Sequence, residues 1–264
     1  MLPMPLAPSV SLRRFGAIEA SDVHDFHQVV LGLDGSMVMA VDGVGEQIAS
    51  GSAWLVPAGS RHDYSGLGEN CQLVLDLPAA SLAVPERLFD RARAVSVDPY
   101  MTQLVRQIAA GATLGIPAET TTLAPSLRRF NWDAAARLCA AILSNTGAVP
   151  ASRAGLPSPG LDFARIDRWL RAHLAEPLRI ADLAAHCGFG MRRFHQLFID
   201  AFGETPHRYL QRLRLDTSVT LLADPRRSLS DIAFDIGFAD QSAFTHAFTR
   251  RFGLAPGQWR ALRH

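Results

Sequence analysis

Two sets of polar side chains in the C-terminal half are of types that can hydrogen-bond to base edges and phosphates. Phe194, Phe198 and Phe202 recur four apart, as do Phe244, Phe248 and Phe252. That spacing keeps each set on one face of a helix. Arg192, His195 and Gln196 point away from the first stripe; Gln241, Ser242, Thr245 and His246 point away from the second. Arg192 can donate to guanine O6 and N7, and Gln196 and Gln241 can pair with adenine. Arg193, Arg250 and Arg251 suit phosphate, and a plain solvated surface accounts for each equally well.

The elements that would carry these side chains come as a repeat. DLAAHCGF at 182–189 returns as DIAFDIGF at 231–238, and the correspondence continues from Phe194 to Tyr209 and from Phe244 to Trp259. Such a run of aligned positions reads as an internal duplication. In each copy a short helix, 180–187 or 229–236, leads to Gly188 or Gly237, which can turn the chain in the left-handed conformation. The aromatic helix follows, and Ala184 and Ala233 are small enough for the two helices to cross closely. This is the helix-turn-helix layout, whose second helix can lie in a major groove. A single helix–glycine–helix unit also describes any helical hairpin; two copies in one register favour DNA. A longer helix over 206–223, ended by Asp224-Pro225, would join them.

DLAAHCGF…RRFHQLFIDAFGETPHRYLQRLRL followed by IAFDIGFADQSAFTHAFTRRFGLAPGQWR resembles the AraC/XylS family of bacterial transcription regulators over the last hundred or so residues. The resemblance implies a DNA-binding domain over 161–264, with subdomains at about 178–209 and 227–259 and both recognition helices in successive major-groove segments. It implies promoter DNA as partner, a contact with RNA polymerase, a homodimer and no catalysis. Its DNA-contacting positions fall on Arg192, Arg193, His195, Gln196, Gln241, Ser242, Thr245, His246 and Arg250. His246 departs from the Arg or Lys common there, and Gly190 from the usual Ser cap.

Composition agrees with two soluble domains: 264 residues, 48% hydrophobic and 19% charged. Residues 1–160 carry a net charge of −3 and residues 161–264 carry +4, with every cation an arginine. A modestly basic C-terminal half is the footprint of a nucleic-acid binder. No apolar run approaches the ~20 residues of a membrane helix, and MLPMPLAPSV lacks the basic start of a signal peptide. Three widely spaced cysteines form neither a disulfide framework nor a zinc site, so a reducing cytoplasm is expected.

The N-terminal half reads differently. VVLGL (29–33), SMVMAV (36–41), EQI (46–48), AWLV (53–56) and QLVLDL (72–77) are short strand-like runs, with Asp42-Gly43 as a hairpin signal. Many short strands suggest a barrel or sandwich. GSAWLVPAGSRH (51–62) is similar to the second motif of the cupin barrel, while Asp22, His24, Gln28 and Gly35 are a degraded first motif. The expected fold is thus an antiparallel cupin-like β-barrel with following helices over 1–145, a linker at 146–160 and an all-α double helix-turn-helix beyond. The cupin resemblance places Asp22, His24, Gln28, Trp54 and His62 around a small-molecule effector pocket, with Arg61 and Tyr64 nearby. Gln is a poor transition-metal ligand, so no metal and no cofactor are expected; the alternative is a metal-dependent cupin enzyme, a dioxygenase or isomerase. Helices at 99–111 and 130–144 are the expected dimer surface.

Overall fold

The structure, a computed structural model, describes residues 7–41, 43–114, 124–146 and 161–262. The linker at 146–160 therefore lies almost wholly outside the described residues, as does Asp42 of the hairpin signal. The chain forms two compact units. Of the described residues, a sheet unit holds those from Ala7 through Ser81 and again those from Leu88 through Leu138; a helical unit holds Leu82–Arg87 and those from Cys139 onward.

The sheet unit is built on two long strands, β3 (His27–Val41) and β6 (His62–Leu77), paired antiparallel from His27↔Leu77 to Val41↔His62. The runs at 29–33 and 36–41 are one strand, interrupted by register shifts between Gly32 and Ser36. Around this pair lie β1 (Ser9–Arg13), β2 (Ala20–Asp22), β4 (Val44–Ala49), β5 (Ser52–Val56), β7 (Arg93–Ser96) and β8 (Thr113–Leu114). The main path through the eight-stranded sheet runs β7-β5-β3-β6-β1-β8, with β4 on β3 and β2 on β6. This corrects the expected antiparallel barrel: β7 and β8 end the path without pairing to each other, and β8 lies parallel to β1. Val30, Met37, Met39, Val41, Ile48, Trp54, Val56 and Val74 form the core on one face. Val29 and Leu31, on the opposite face of β3, are equally buried. Burial on both faces explains the unbroken apolar run VVLGL. Helices α1 (Pro99–Ala109) and α2 (Pro125–Thr146) follow.

The helical unit repeats its helix order and its turn hydrogen bonds. Helices α3 (Phe163–Ala172), α4 (Ile180–His186), α5 (Met191–Phe202) and α6 (Pro206–Leu221) are followed by α7 (Leu229–Asp235), α8 (Gln241–Phe252) and α9 (Pro256–Ala261). After α4 the Phe189 N–H donates to the Ala184 carbonyl at 3.0 Å; after α7 the Phe238 N–H donates to Ala233 at 2.9 Å. The aromatic stripes are fully buried in both copies. The Tyr209 ring stands edge-on to Phe198 at 5.7 Å, and the Trp259 ring edge-on to Phe248 at 5.6 Å, an arrangement that ring quadrupoles favour.

The twin turn glycines are not equivalent. Gly188 has φ 78° and Gly237 φ 79°, both left-handed. A Cβ on Gly188 would meet nothing within 4 Å, whereas one on Gly237 would lie 2.4 Å from the Leu174 carbonyl oxygen and 2.6 Å from the Arg214 guanidinium. Arg214 cannot yield easily, because it is buried and donates to the carbonyls of Leu174 and Glu176 at 2.9 and 2.8 Å. Gly188→Ala should therefore cost only the left-handed strain, about 1–2 kcal/mol. Gly237→Ala should cost more than that, and paired denaturant melts of the two variants measure the difference.

Candidate nucleic-acid interface

Packing of the Phe stripes decides what each second helix shows to solvent. On α5, Arg192, Arg193 and Gln196 are exposed and His195 is half-buried. On α8, Gln241, Ser242, His246 and Arg250 are exposed and Thr245 is half-buried. So each helix presents a polar strip opposite its aromatic stripe. The second strip is fixed at its start by Asp240, whose carboxylate accepts the Ala243 N–H at 2.8 Å. Gly190, in the same place before α5, has no side chain to do this.

Three features of these strips escaped the sequence reading. Gln196 is engaged: its amide donates to Asp200 at 2.9 Å, one turn on along α5. Asp200 thus sets a negative charge on the exposed face. Met191, 60% exposed, opens the same helix and offers an apolar surface of the kind that meets a thymine methyl. Arg251 does not reach out at all, so neither a phosphate nor a solvated role fits it. Its guanidinium donates to Asp216 on α6, and its side chain is 10% exposed. Burial pushes the Asp216 carboxyl up, while Arg251 and the Ala83 N–H pull it back. The spacing carried a signal: Arg251 lies three residues after Phe248 and seven after Phe244, on the buried stripe.

The residues expected around an effector pocket are brought together only in part. Gln28 is buried and donates to Asp76 at 2.9 Å. Asp76 also accepts from Ser9 at 2.9 Å and pairs with Arg13. The His24 and His62 rings lie 4.9 Å apart, and His24 stacks on Phe26 at 4.1 Å. His24 Nδ1 lies 2.7 Å from the Phe26 carbonyl, so it is the protonated nitrogen, and the buried Nε2 has no partner among the described residues. Asp22 stands across from His62 in the β2–β6 ladder but is exposed. Trp54 is packed in the apolar core, 2% exposed. Arg61 is exposed near Asp63, and Tyr64 packs on the core edge-on to Phe15. Among the described residues no cluster of three His, Cys, Asp or Glu side chains is arranged to hold a metal ion. The Asp76–Arg13 pair was not anticipated, although a carboxylate two residues beyond Val74 in QLVLDL had to share that strand face.

A family model described as a helix-turn-helix domain matches residues 183–262. The C-terminal unit is a helix-turn-helix DNA-binding domain, and the chain is a DNA-binding transcription regulator. The domain is similar to those of AraC/XylS regulators. The probable transcriptional regulator LumQ of Photobacterium leiognathi is 26% identical over 242 residues, 90% of each chain. The transcriptional activator RhaS of Klebsiella pneumoniae is 27% identical over 246 residues, 88% of this chain and 84% of its own. Among solved structures, the DNA-binding domain of AdpA in complex with a target DNA is 28% identical, with a TM-score of 0.35, over 37% of this chain and 88% of that one. Among the described residues no helix is long and apolar enough to cross a membrane.

Two outcomes follow from the charges. Asp200→Asn removes a negative charge from the exposed face of α5, so its DNA affinity should rise several-fold at low salt, with the gain shrinking as salt screens it; fluorescence anisotropy across a salt series reads this. His24 is held below the usual imidazole range chiefly by burial and also by His62, against the raising influence of the Phe26 carbonyl, Asp76 and Asp22. The unfolded chain then takes up this proton at higher pH than the folded one. Stability should fall as pH drops below about 6.5. His24→Gln should flatten that part of the pH–melting curve.

Proposed function

We propose that this regulator reads two successive major-groove segments of promoter DNA, one with each recognition helix, and works without catalysis in the cytoplasm. One observation carries the reading: the two copies bury the same aromatic stripe and so expose the same polar strip. Arg192, His195 and Gln196 read the first segment; Gln241, Ser242, Thr245 and His246 read the second; Arg193 and Arg250 hold phosphate. The sheet unit, up to Leu138 and without Leu82–Arg87, acts as a cupin-like effector and dimerisation domain, with His24, His62, Gln28 and Asp76 as its polar cluster. A homodimer presents two DNA-binding domains to paired half-sites, and the bound regulator contacts RNA polymerase.

Binding-site selection on the intact protein and its variants tests the two-segment reading. Arg192→Ala should lose about 1–3 kcal/mol at one base pair and relax specificity there. Gln241→Ala should relax a position about one DNA turn, roughly 34 Å, away. Both variants changing the same base pair, or neither changing any, would contradict it. Light scattering at micromolar concentration should find a dimer.

A further inference from the structure

The stretch Leu82–Arg87 is bordered on both sides by chain of the sheet unit, yet it belongs to the helical unit. Ala83 is 4% exposed and sits in the aromatic core of the first helix-turn-helix copy. Both of its backbone groups are taken up by α6. Its N–H donates to Asp216 at 2.8 Å, and its carbonyl accepts the Tyr209 hydroxyl at 3.1 Å. Farther along the strap, Glu86 lies against Gly203 at the end of α5, where a Cβ would come within 2.8 Å of the Glu86 Cγ.

Asp216 is where this strap meets the second copy. Its Oδ2 accepts the Ala83 N–H, and its Oδ1 accepts the guanidinium of Arg251, on the last turn of α8. Carboxylate and guanidinium are both nearly out of solvent, with side chains 6% and 10% exposed. A buried ion pair contributes little net stability, because desolvation offsets the attraction, but it tolerates only a narrow geometry and is costly to leave half-made. The Ala83 N–H fixes the second oxygen and so orients the carboxylate that Arg251 must meet.

We infer that the Leu82–Arg87 strap is a working part of the DNA-binding unit: acting through Asp216, it seats Arg251 and thereby positions the second recognition helix. Asp216 and Arg251 are positioning residues, since neither side chain faces the DNA-reading strip. The functional DNA-binding unit then begins nearly a hundred residues before its first helix-turn-helix. The inference rests on α8 reading DNA, and the test separates the two ideas.

The test uses the full chain. Ala83→Pro removes the N–H that orients Asp216, Tyr209→Phe removes the hydroxyl that holds the strap carbonyl, and Asp216→Asn keeps the acceptor for Ala83 while discharging the partner of Arg251. Hydrogen exchange is followed in residues 241–252 and 191–202, alongside binding to a duplex recovered by selection from random sequence. Each variant should accelerate exchange in α8 by tenfold or more while α5 changes less than twofold. Binding should weaken about five- to twentyfold, with the lost base preference confined to the segment read by α8. Unchanged α8 exchange overturns the inference. Equal acceleration in α5 and α8 also overturns it, because the strap would then be an ordinary part of the core. Accelerated α8 exchange with no segment preference in any variant or in the parent would instead contradict the two-segment reading and leave the strap's role standing.

Discussion

Everything this protein can read depends on aromatic rings packed four residues apart. Phe194 packs on Phe198, which with Phe202 closes on Tyr209; Phe244 packs on Phe248, which with Phe252 closes on Trp259. A helix with three buried phenylalanines has one way to lie on its neighbours, so the opposite strip is fixed in direction before any base is met. Truncating a buried Phe costs roughly 3–5 kcal/mol, comparable with the whole stability of a small domain. Recognition and folding are therefore not separable here: the stripe that holds each subdomain together is also what aims its polar side chains.

The helical half was far more legible in the sequence than the sheet. Expected helices at 180–187 and 229–236 are observed as Ile180–His186 and Leu229–Asp235, and the joining helix as Pro206–Leu221. Glycine and proline stops and a duplicated pattern are local signals, and local signals survive in a linear reading. The sheet depends on distant partners. The run expected at 72–77 starts ten residues earlier, at His62, because β3 supplies a ladder that HDYSGLGENC can join without an apolar run of its own. Closure of a barrel is likewise a matter of which strands meet at the path's ends, and no single run of residues records it.

The site divides along the same line. The exposed strips of α5 and α8 could be read from periodicity, since a face opposite a buried stripe is solvent by geometry alone. What could not be read was what neighbouring elements do to individual side chains. Asp200 occupies the amide of Gln196, and Asp216 draws Arg251 inward. In the N-terminal unit the motif residues His24 and His62 do meet, while Trp54, two residues from Val56 on the same strand face, is taken into the apolar core. A motif names residue types; only the surrounding packing decides whether each faces a pocket or fills it.

The two copies also differ at their helix starts. Ser228 and Asp240 cap α7 and α8 through the N–H groups of Asp231 and Ala243, whereas Arg179 and Gly190 give α4 and α5 no side-chain cap. Side-chain caps are worth up to about 1 kcal/mol each, less against glycine. Duplicated genes start with equal parts, so the unequal caps record divergence in local opening. Fewer hydrogen bonds hold the helix starts of the first copy, so a duplicated design carries one less firmly and one more firmly tied pair of helix starts.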